Sequence, residues 1–264
     1  MHFGKKRIER KGDLMKPNYL PAVGVTFRPQ DGDPKKLPVT LYRPYAAIPQ
    51  EELITSAEER GDAGAMLELG ERFWFGTLGA EQDYDEAIRW LLRAAERGVQ
   101  DAEYLIAEAY RCGYGVEQDY EKYFDWLDRS AQHGSWLAGF AMSAAYRQGK
   151  DAFEGSGPDA DSEQCFAWSL QTEKALRAYW TFYTRPGFCD FNEILSRLLH
   201  AYTLISLQLS KHFSEGVGTK QDYKEALYWL RKGRRFVMNS TGDTDIQLFD
   251  DEIAALQEKM GSET

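Results

Sequence analysis

The chain has 264 residues, of which 43% are hydrophobic and 14% aromatic, a composition typical of a folded protein rather than a disordered one. Its formal net charge of −10 is unevenly placed: residues 1–50 contain ten Lys or Arg and four Asp or Glu, which leaves 22 basic and 38 acidic residues for 51–264. An acidic body repels nucleic acid and favours cationic partners, so we expect no nucleic-acid partner. An acidic surface also serves simply to keep a protein in solution.

Membrane and secretory segments are not visible in the sequence. No apolar run reaches the ~18 residues that a membrane-spanning helix needs, and the first residues, MHFGKKRIERKGDL, lack the apolar stretch of a secretory signal. We therefore expect a cytoplasmic protein without a membrane span, or a periplasmic one if a leader has been removed. The three cysteines, Cys112, Cys165 and Cys189, have no CxxC or metal-ligand spacing, so we expect packed thiols.

The N-terminal part of the chain differs in kind from the rest. Residues 1–48 are basic, and two Pro-bounded segments within them, PAVGVTFRP and KLPVTLYRP, are typical of extended chain. We predict a basic arm at 1–48, partly extended, in the form of a β-hairpin or a strap. Residues 49–60 then supply half of a helical repeat.

A phrase containing Gln-Asp-Tyr recurs at 82–84, 118–120 and 221–223, and the first two copies lie 36 residues apart, as do Trp90 and Trp126. Upstream of it each unit has a five-point template of apolar or small residues with an aromatic residue and a final Gly. The template occurs four times: Ala65, Leu69, Gly70, Phe73, Gly76; Ala102, Ile106, Ala107, Tyr110, Gly113; Ala138, Met142, Ser143, Tyr146, Gly149; and Ile205, Leu209, Ser210, Phe213, Gly216.

This spacing places the template residues on one side of a helix, which we call helix A. The final Gly ends helix A, and Asp83, Asp119 and Asp222 are then expected to cap a second helix, helix B. A Glu three residues after Asp83 and Asp222 indicates a capping box. Each unit is therefore predicted to be an antiparallel helix pair that must stack on its neighbours to bury its apolar face.

The pattern G-x-G-x-x-x-D-Y-x-E-A-x-x-W resembles the Sel-one-like repeat (SLR) family, which is related to the tetratricopeptide repeats. The resemblance implies an all-α fold, a right-handed α-solenoid of SLR helix-turn-helix repeats over 49–264. We place repeats near 62–98, 99–134, 135–180 and 201–236, a helical insertion at 171–200 and a C-terminal cap helix at 244–260. The third repeat has a longer loop between its two helices, KDAFEGSGPDADSEQ.

Catalytic signatures are missing from the sequence. It contains no H-E-x-x-H, G-x-S-x-G or Walker motif, and the histidines His2, His133, His200 and His212 are scattered. We expect no catalytic residue, no metal site and no cofactor, and therefore a non-enzymatic protein.

The binding hypothesis rests on the outer face of helix A, the side away from the template residues. If that face met only water its residues would be polar, yet the first three units place aromatic and aliphatic side chains there, interleaved with Glu and Arg. Tyr, Trp and Arg are typical of protein interfaces, and helix A lines the concave side of such solenoids. The predicted partner-binding residues are Leu67, Glu68, Glu71, Trp74, Phe75, Tyr104, Glu108, Arg111, Phe140 and Arg147.

The same residues allow a purely intramolecular interpretation, in which the arm at 17–48 covers Trp74 and Tyr104 within one molecule. Under the binding hypothesis the chain is a protein–protein interaction module, and the resemblance to small bacterial SLR proteins suggests an immunity protein that neutralises a toxin or effector with a basic surface. The alternatives are a signalling or assembly adaptor and, less favoured, a β-lactam-like small-ligand binder or hydrolase.

Overall fold

The protein is described by a computed structural model that defines residues 45, 47–183, 192–238 and 243–262. Across these ranges the chain forms ten α-helices and one short 3₁₀ helix, and it contains no β-strand. The prediction of an all-α fold of helix-turn-helix repeats is therefore confirmed. The predicted arm at 1–48 lies outside the described residues except for Tyr45, Ala47 and Ile48.

The helices are α1 Gln50–Glu59, α2 Ala63–Phe75, α3 Tyr84–Ala95, α4 Gln100–Cys112, α5 Tyr120–Gln132, α6 Trp136–Gln148, α7 Ser162–Tyr183, α8 Asn192–Glu215, α9 Tyr223–Met238 and α10 Asp243–Ser262. The 3₁₀ helix Lys150–Phe153 lies between α6 and α7. The C-terminal helix predicted at 244–260 falls within α10.

The described helices divide into two compact units. The first contains α1 to α5 with the start of α6 up to Ala138, together with residues 192–194. The second contains α6 from Gly139, α7, α8 from Leu195, α9 and α10. Helix pairs α2–α3 and α4–α5 pack together in the first unit, and α9 packs on α10 in the second.

One core cluster runs through α1 to α4 in the first unit. Leu53 of α1, Leu69 of α2, Leu91 of α3 and Ile106 of α4 are each 0% exposed and belong to it. Full burial of such an aliphatic side chain contributes about 1.5–3 kcal/mol. Because the cluster crosses from one helix pair to the next, neighbouring repeats share a core rather than each having its own.

The Gln-Asp-Tyr motif joins the end of helix A to the start of helix B. The Asp83 amide donates to the Phe73 carbonyl at 2.9 Å, and the Asp83 carboxylate accepts from the Glu86 amide at 3.0 Å. Gln82 Nε2 donates to the Trp74 carbonyl and to the Tyr84 hydroxyl oxygen, both at 2.9 Å. Gln82 and Asp83 therefore satisfy backbone polar groups at the helix termini, and the Tyr84 hydroxyl accepts the second hydrogen bond from Gln82.

The second and fourth repeats reproduce this set of bonds. Gln118 and Gln221 donate to a carbonyl of the preceding helix and to the tyrosine two residues on. Asp119 and Asp222 each cap the following helix. The predicted capping roles of Asp83, Asp119 and Asp222 are thus confirmed.

The capping boxes predicted at Asp83 and Asp222 are not formed, and the Asp222 amide donates to the Phe213 carbonyl at 2.8 Å. In a capping box the Glu86 carboxylate would accept from the Asp83 amide, but that amide donates to Phe73 instead. Glu86 accepts from the indole Nε1 of Trp90 at 2.9 Å and pairs with Arg89. The carboxylate therefore orients the Trp90 ring within helix B.

The third repeat closes differently. Its loop runs from Gly149 through the 3₁₀ helix to Asp161, whose amide donates to the Tyr146 carbonyl at 2.8 Å. The Asp161 carboxylate accepts from the amides of Glu163 and Gln164. Asp161 therefore takes the capping role in this repeat without the Gln and Tyr that flank it elsewhere.

The residues predicted as an insertion lengthen two helices. Residues 171–183 continue α7, and 192–200 form the start of α8. The buried carboxylate of Glu173 accepts from the Tyr202 hydroxyl at 2.7 Å and lies 3.0 Å from both Arg177 Nε and Lys232 Nζ. These bonds tie the lengthened part of α7 to α8 and α9.

Glycine sets the closest approach between the first two repeats. Gly115 has φ +66°, and a Cβ at this position would lie 2.7 Å from the Tyr84 carbonyl oxygen at the start of α3. The backbone of the second repeat therefore rests on the first where no side chain fits. Gly79 has φ +90° with no atom within 4 Å of its Cβ position.

We predict that Gly115→Ala lowers the free energy of unfolding by about 1–3 kcal/mol more than Gly79→Ala, because both substitutions meet backbone strain but only the first also meets an overpacking clash. Urea denaturation followed by circular dichroism measures both. Equal destabilisation by the two variants would show that the repeats do not approach as closely as described.

Candidate protein-interaction face

Four of the predicted contact residues on α2 are buried. Leu67 and Glu68 are 2% exposed, Glu71 is 1% exposed and Trp74 is 5% exposed, while Phe75 is partly buried against the core. The expectation that α2 presents these four side chains on an open face is therefore wrong.

Trp74 is enclosed by aromatic rings from two repeats. Its ring meets Tyr84 edge-on at 5.3 Å and Tyr114 edge-on at 5.9 Å, and these two tyrosines stack on each other at 4.7 Å. Tyr84 begins α3, whereas Tyr114 follows α4. Trp74 thus contributes to the packing between the first two helix pairs.

A buried ion pair explains the position of Glu68. Glu68 Oε1 lies 2.8 Å from Arg72 Nε, and both side chains are 2% exposed. Arg72 Nη2 also donates to the carbonyls of Tyr45 and Ile48 at 3.0 and 2.9 Å. The Tyr45 hydroxyl donates to Asp62, the residue that caps α2. The pair therefore fixes the chain before α1 against α2.

Helix α4 keeps a partly exposed face formed by Tyr104, Glu108 and Arg111, which we call the α4 face. Arg111 Nε and Nη2 donate to the two oxygens of Glu108 at 2.9 and 2.6 Å, a bidentate pair. The Arg111 side chain remains 39% exposed. The pair holds a guanidinium plane in a fixed position at the surface.

Tyr104 is the aromatic member of the α4 face. Its ring is half-buried, and among the residues that the structure describes its hydroxyl has no hydrogen-bond partner. Burial, together with the nearby Glu108 carboxylate, raises the pKa of Tyr104 well above its ordinary value. The hydroxyl therefore stays protonated at physiological pH and can donate or accept a hydrogen bond.

Tyr123 of α5 supports this face from behind and was not among the predicted residues. It is 4% exposed, and burial with the Glu108 carboxylate raises its pKa. At the same distance from the capping aspartate the first and fourth repeats have Ala87 and Ala226. That change from a small to a large side chain was the signal in the sequence that could have identified it.

The remaining two predicted residues lie on α6 in the second unit. Phe140 is partly exposed and Arg147 is exposed. The structure therefore brings Tyr104, Glu108 and Arg111 together on one helix and leaves Phe140 and Arg147 on another.

Within the described residues no three metal-ligating side chains converge, and no helix has the length and apolar character needed to cross a membrane.

The sequence profile of the Sel1 repeat matches residues 63–99, 100–135, 143–171 and 207–234. The chain carries four Sel1 repeats. They correspond to the helix pairs α2–α3, α4–α5, α6–α7 and α8–α9. Proteins with Sel1 repeats generally mediate protein–protein interactions, and the fold is typically a non-catalytic scaffold.

Three relatives illustrate the range of the family. The chain is 31% identical over 64 residues to HRD3A, an ERAD-associated E3 ubiquitin-protein ligase component of Arabidopsis thaliana, which is 24% of this chain and 9% of that protein. A Sel1 repeat protein from Oxalobacter formigenes superposes with a TM-score of 0.56 at 25% identity, covering 76% of this chain and 48% of that one. A protective antigen of uropathogenic Escherichia coli with an SLR fold gives a TM-score of 0.36 at 25% identity, covering 71% and 49%.

The chain therefore spans about half of each solved Sel1-repeat structure and a small part of the plant ligase component. The likeness to the Oxalobacter protein extends over most of this chain and concerns the repeats. The superposition on the Escherichia coli antigen is too loose to support a structural argument.

We predict that Arg72→Met lowers the free energy of unfolding by about 3–5 kcal/mol, because it removes the buried cation that pairs with the Glu68 carboxylate. The double variant Glu68→Leu with Arg72→Met should be more stable than the single variant. Arg89→Met removes an exposed partner of Glu86, 63% exposed, and should change stability by about 0–1 kcal/mol. Chemical denaturation of the four proteins provides the comparison, and a double variant less stable than Arg72→Met would contradict it.

Proposed function

We propose that this Sel1-repeat chain is a non-enzymatic interaction module that binds a protein partner through the α4 face. The observation that carries the proposal is Tyr104, a half-buried aromatic ring whose hydroxyl bonds to none of the residues that the structure describes. It lies next to a surface guanidinium that Glu108 already holds in place. Tyr and Arg anchors of this kind dominate the energetics of protein interfaces.

The fixed geometry of the α4 face favours binding. Arg111 is already ordered by Glu108, so docking a partner immobilises fewer side-chain torsions than an unconstrained Arg would require. The buried residues of α2 have a different role in this proposal. Leu67, Glu68, Glu71 and Trp74 stabilise the repeat on which α4 packs, and they do not contact the partner.

Phe75, Phe140 and Arg147 stay in the proposal as contacts beyond the α4 face. Phe75 is the last residue of α2. Phe140 and Arg147 occupy the helix A positions in the third repeat that Tyr104 and Arg111 occupy in the second.

Charge supports a partner with a basic surface. Residues 51–264 contain 38 acidic and 22 basic residues, and attraction between opposite charges speeds the encounter of two proteins. A basic toxin is one such partner, which would make the chain an immunity protein. An assembly adaptor would use the same α4 face without requiring a basic partner.

Site-specific photo-crosslinking in the native host tests the proposal. With a photoreactive phenylalanine analogue in place of Tyr104, we expect one protein to be crosslinked to the full-length chain. The same analogue at Tyr228, which is 51% exposed on α9, provides a matched control and should not capture that protein. Adding Arg111→Ala to the Tyr104 probe should reduce the crosslinked yield about tenfold, the effect of losing roughly 1.4 kcal/mol of binding.

The outcomes separate the alternatives. Crosslinking at Tyr228 but not at Tyr104, or equal crosslinking at both, would rule out the α4 face. A captured partner that is basic, and whose toxicity to growth is relieved by co-expression of this chain, supports the immunity role. A captured neutral or acidic partner supports the adaptor and contradicts the immunity role.

A further inference from the structure

A group of polar side chains lies in the core of the second unit. We call it the polar cluster, and it consists of Ser143 on α6, Cys165 and Ser169 on α7, and Gln208 and His212 on α8. Ser143 Oγ lies 3.0 Å from Ser169 Oγ and 3.5 Å from Cys165 Sγ. Gln208 Nε2 donates to both serine oxygens at 2.7 and 2.8 Å. Cys165 Sγ lies 3.7 Å from His212 Nε2.

The polar cluster departs from the repeat pattern at core positions. Eight residues after the capping aspartate, the other three repeats have a leucine that is at most 2% exposed, Leu91, Leu127 and Leu230. The third repeat has Ser169 there, 0% exposed. A buried leucine would stabilise this position more simply than a hydroxyl that needs partners, so the substitution points to a role other than packing.

Helix termini favour opposite charges on the two members of the Cys165–His212 contact. Cys165 lies in the first turn of α7, where the amide dipoles stabilise an anion. His212 lies in the last turn of α8, where the carbonyl dipoles stabilise a cation. His212 Nδ1 donates to the Val217 carbonyl at 2.6 Å, so Nε2 is the ring atom directed at the thiol.

Neighbouring charges act on the same pair. Burial raises the pKa of Cys165, but the hydrogen bonds from His212 and Ser143 and the positive charge of Arg147 outweigh it, and the net pKa is lowered. Burial and the positive charge of Arg147 lower the pKa of His212, but the contact with Cys165 and the bond to Val217 outweigh them, and the net pKa is raised. Asp161, at the N-terminus of α7, accepts hydrogen bonds from two backbone amides of that helix, so its negative charge lies at the same helix terminus as Cys165.

We propose that Cys165 and His212 form a thiolate–imidazolium pair and that Cys165 is a modification site for small hydroperoxides. His212 Nε2, 3.7 Å from the sulfur, can donate to a thiolate and to the oxygen of a sulfenic acid.

Gln208 is the most exposed member of the polar cluster. Ser143, Cys165, Ser169 and His212 are at most 6% exposed, whereas Gln208 is only partly buried. Gln208 Nε2 lies 3.8 Å from Cys165 Sγ, so this flexible side chain covers the thiol. A change of its rotamer, which would break its bonds to Ser143 and Ser169, would open the sulfur to small molecules such as hydrogen peroxide.

The proposed reaction needs only the hydroperoxide as oxidant. The thiolate sulfur attacks one peroxide oxygen, the O–O bond breaks, and the sulfur is oxidised by two electrons while the peroxide is reduced. The leaving hydroxide takes the Nε2 proton of the His212 imidazolium and departs as water. Cys165 is left as the sulfenic acid and His212 as the neutral imidazole.

The experiment uses the full chain with Cys112→Ser and Cys189→Ser, so that Cys165 is the single thiol. Its alkylation by iodoacetamide between pH 5 and 9, read by mass spectrometry, should have a midpoint below that of the same chain unfolded in guanidinium. His212→Asn keeps an amide that can donate to Val217 but removes Nε2, and it should slow alkylation at pH 7. His200→Asn, exposed on the same helix, should leave the rate unchanged.

Hydrogen peroxide followed by a dimedone trap should mark Cys165 as the sulfenic acid in the folded chain and mark it less in His212→Asn. Thiolate absorbance near 240 nm, measured against pH in the chain with Cys112→Ser and Cys189→Ser, gives the titration midpoint of Cys165 directly. This measurement needs no histidine variant, so the test remains valid if His212→Asn does not fold. An alkylation midpoint at or above that of the unfolded chain, or a folded chain in which Cys165 is not trapped, would overturn the proposal.

Discussion

A helix pair of this size cannot bury its apolar face alone, and the rest of the structure depends on how neighbouring pairs cover each other. Three features meet that constraint in the first unit. The Gln-Asp-Tyr turn closes each pair by satisfying the polar groups at the helix termini. Gly115 lets the next backbone rest on the carbonyl of Tyr84. Trp74, Tyr84 and Tyr114 then fill the space between the pairs. A Sel1 repeat is therefore stabilised by its contacts with the adjacent repeat, not as an isolated helix pair.

Much of the fold could be predicted because local rules and the repeat period agree. The spacing of 36 residues identifies the caps Asp83 and Asp119 from position alone, and both are observed. Asp161 could not be identified in that way, since its repeat lacks the flanking Gln and Tyr and its loop is longer. The sequence also could not show whether Glu86 bonds to the Asp83 amide. That amide can donate to the Glu86 carboxylate or to the Phe73 carbonyl, and in the structure it donates to Phe73.

The candidate site was predictable only in part. Helical period alone places Tyr104, Glu108 and Arg111 on one face of α4. It could not show that the equivalent face of α2 is buried, because the groups that cover Trp74 and pair with Arg72 come from the next repeat and from residues 45 and 48. The polar cluster joins residues as much as 69 positions apart on three helices, so no linear motif reveals it. In the sequence the polar cluster is indicated by Ser169, which stands at a position that is leucine in the other repeats.

Native-state hydrogen exchange across a denaturant series tests most directly whether adjacent pairs depend on each other. The core cluster is shared by α2, α3 and α4 through Leu69, Leu91 and Ile106. Amide protection in these three helices should therefore be lost at one denaturant concentration. Loss of protection in α4 at a clearly lower concentration, with α2 and α3 still protected, would mean that the first pair stands without the second and would contradict the account.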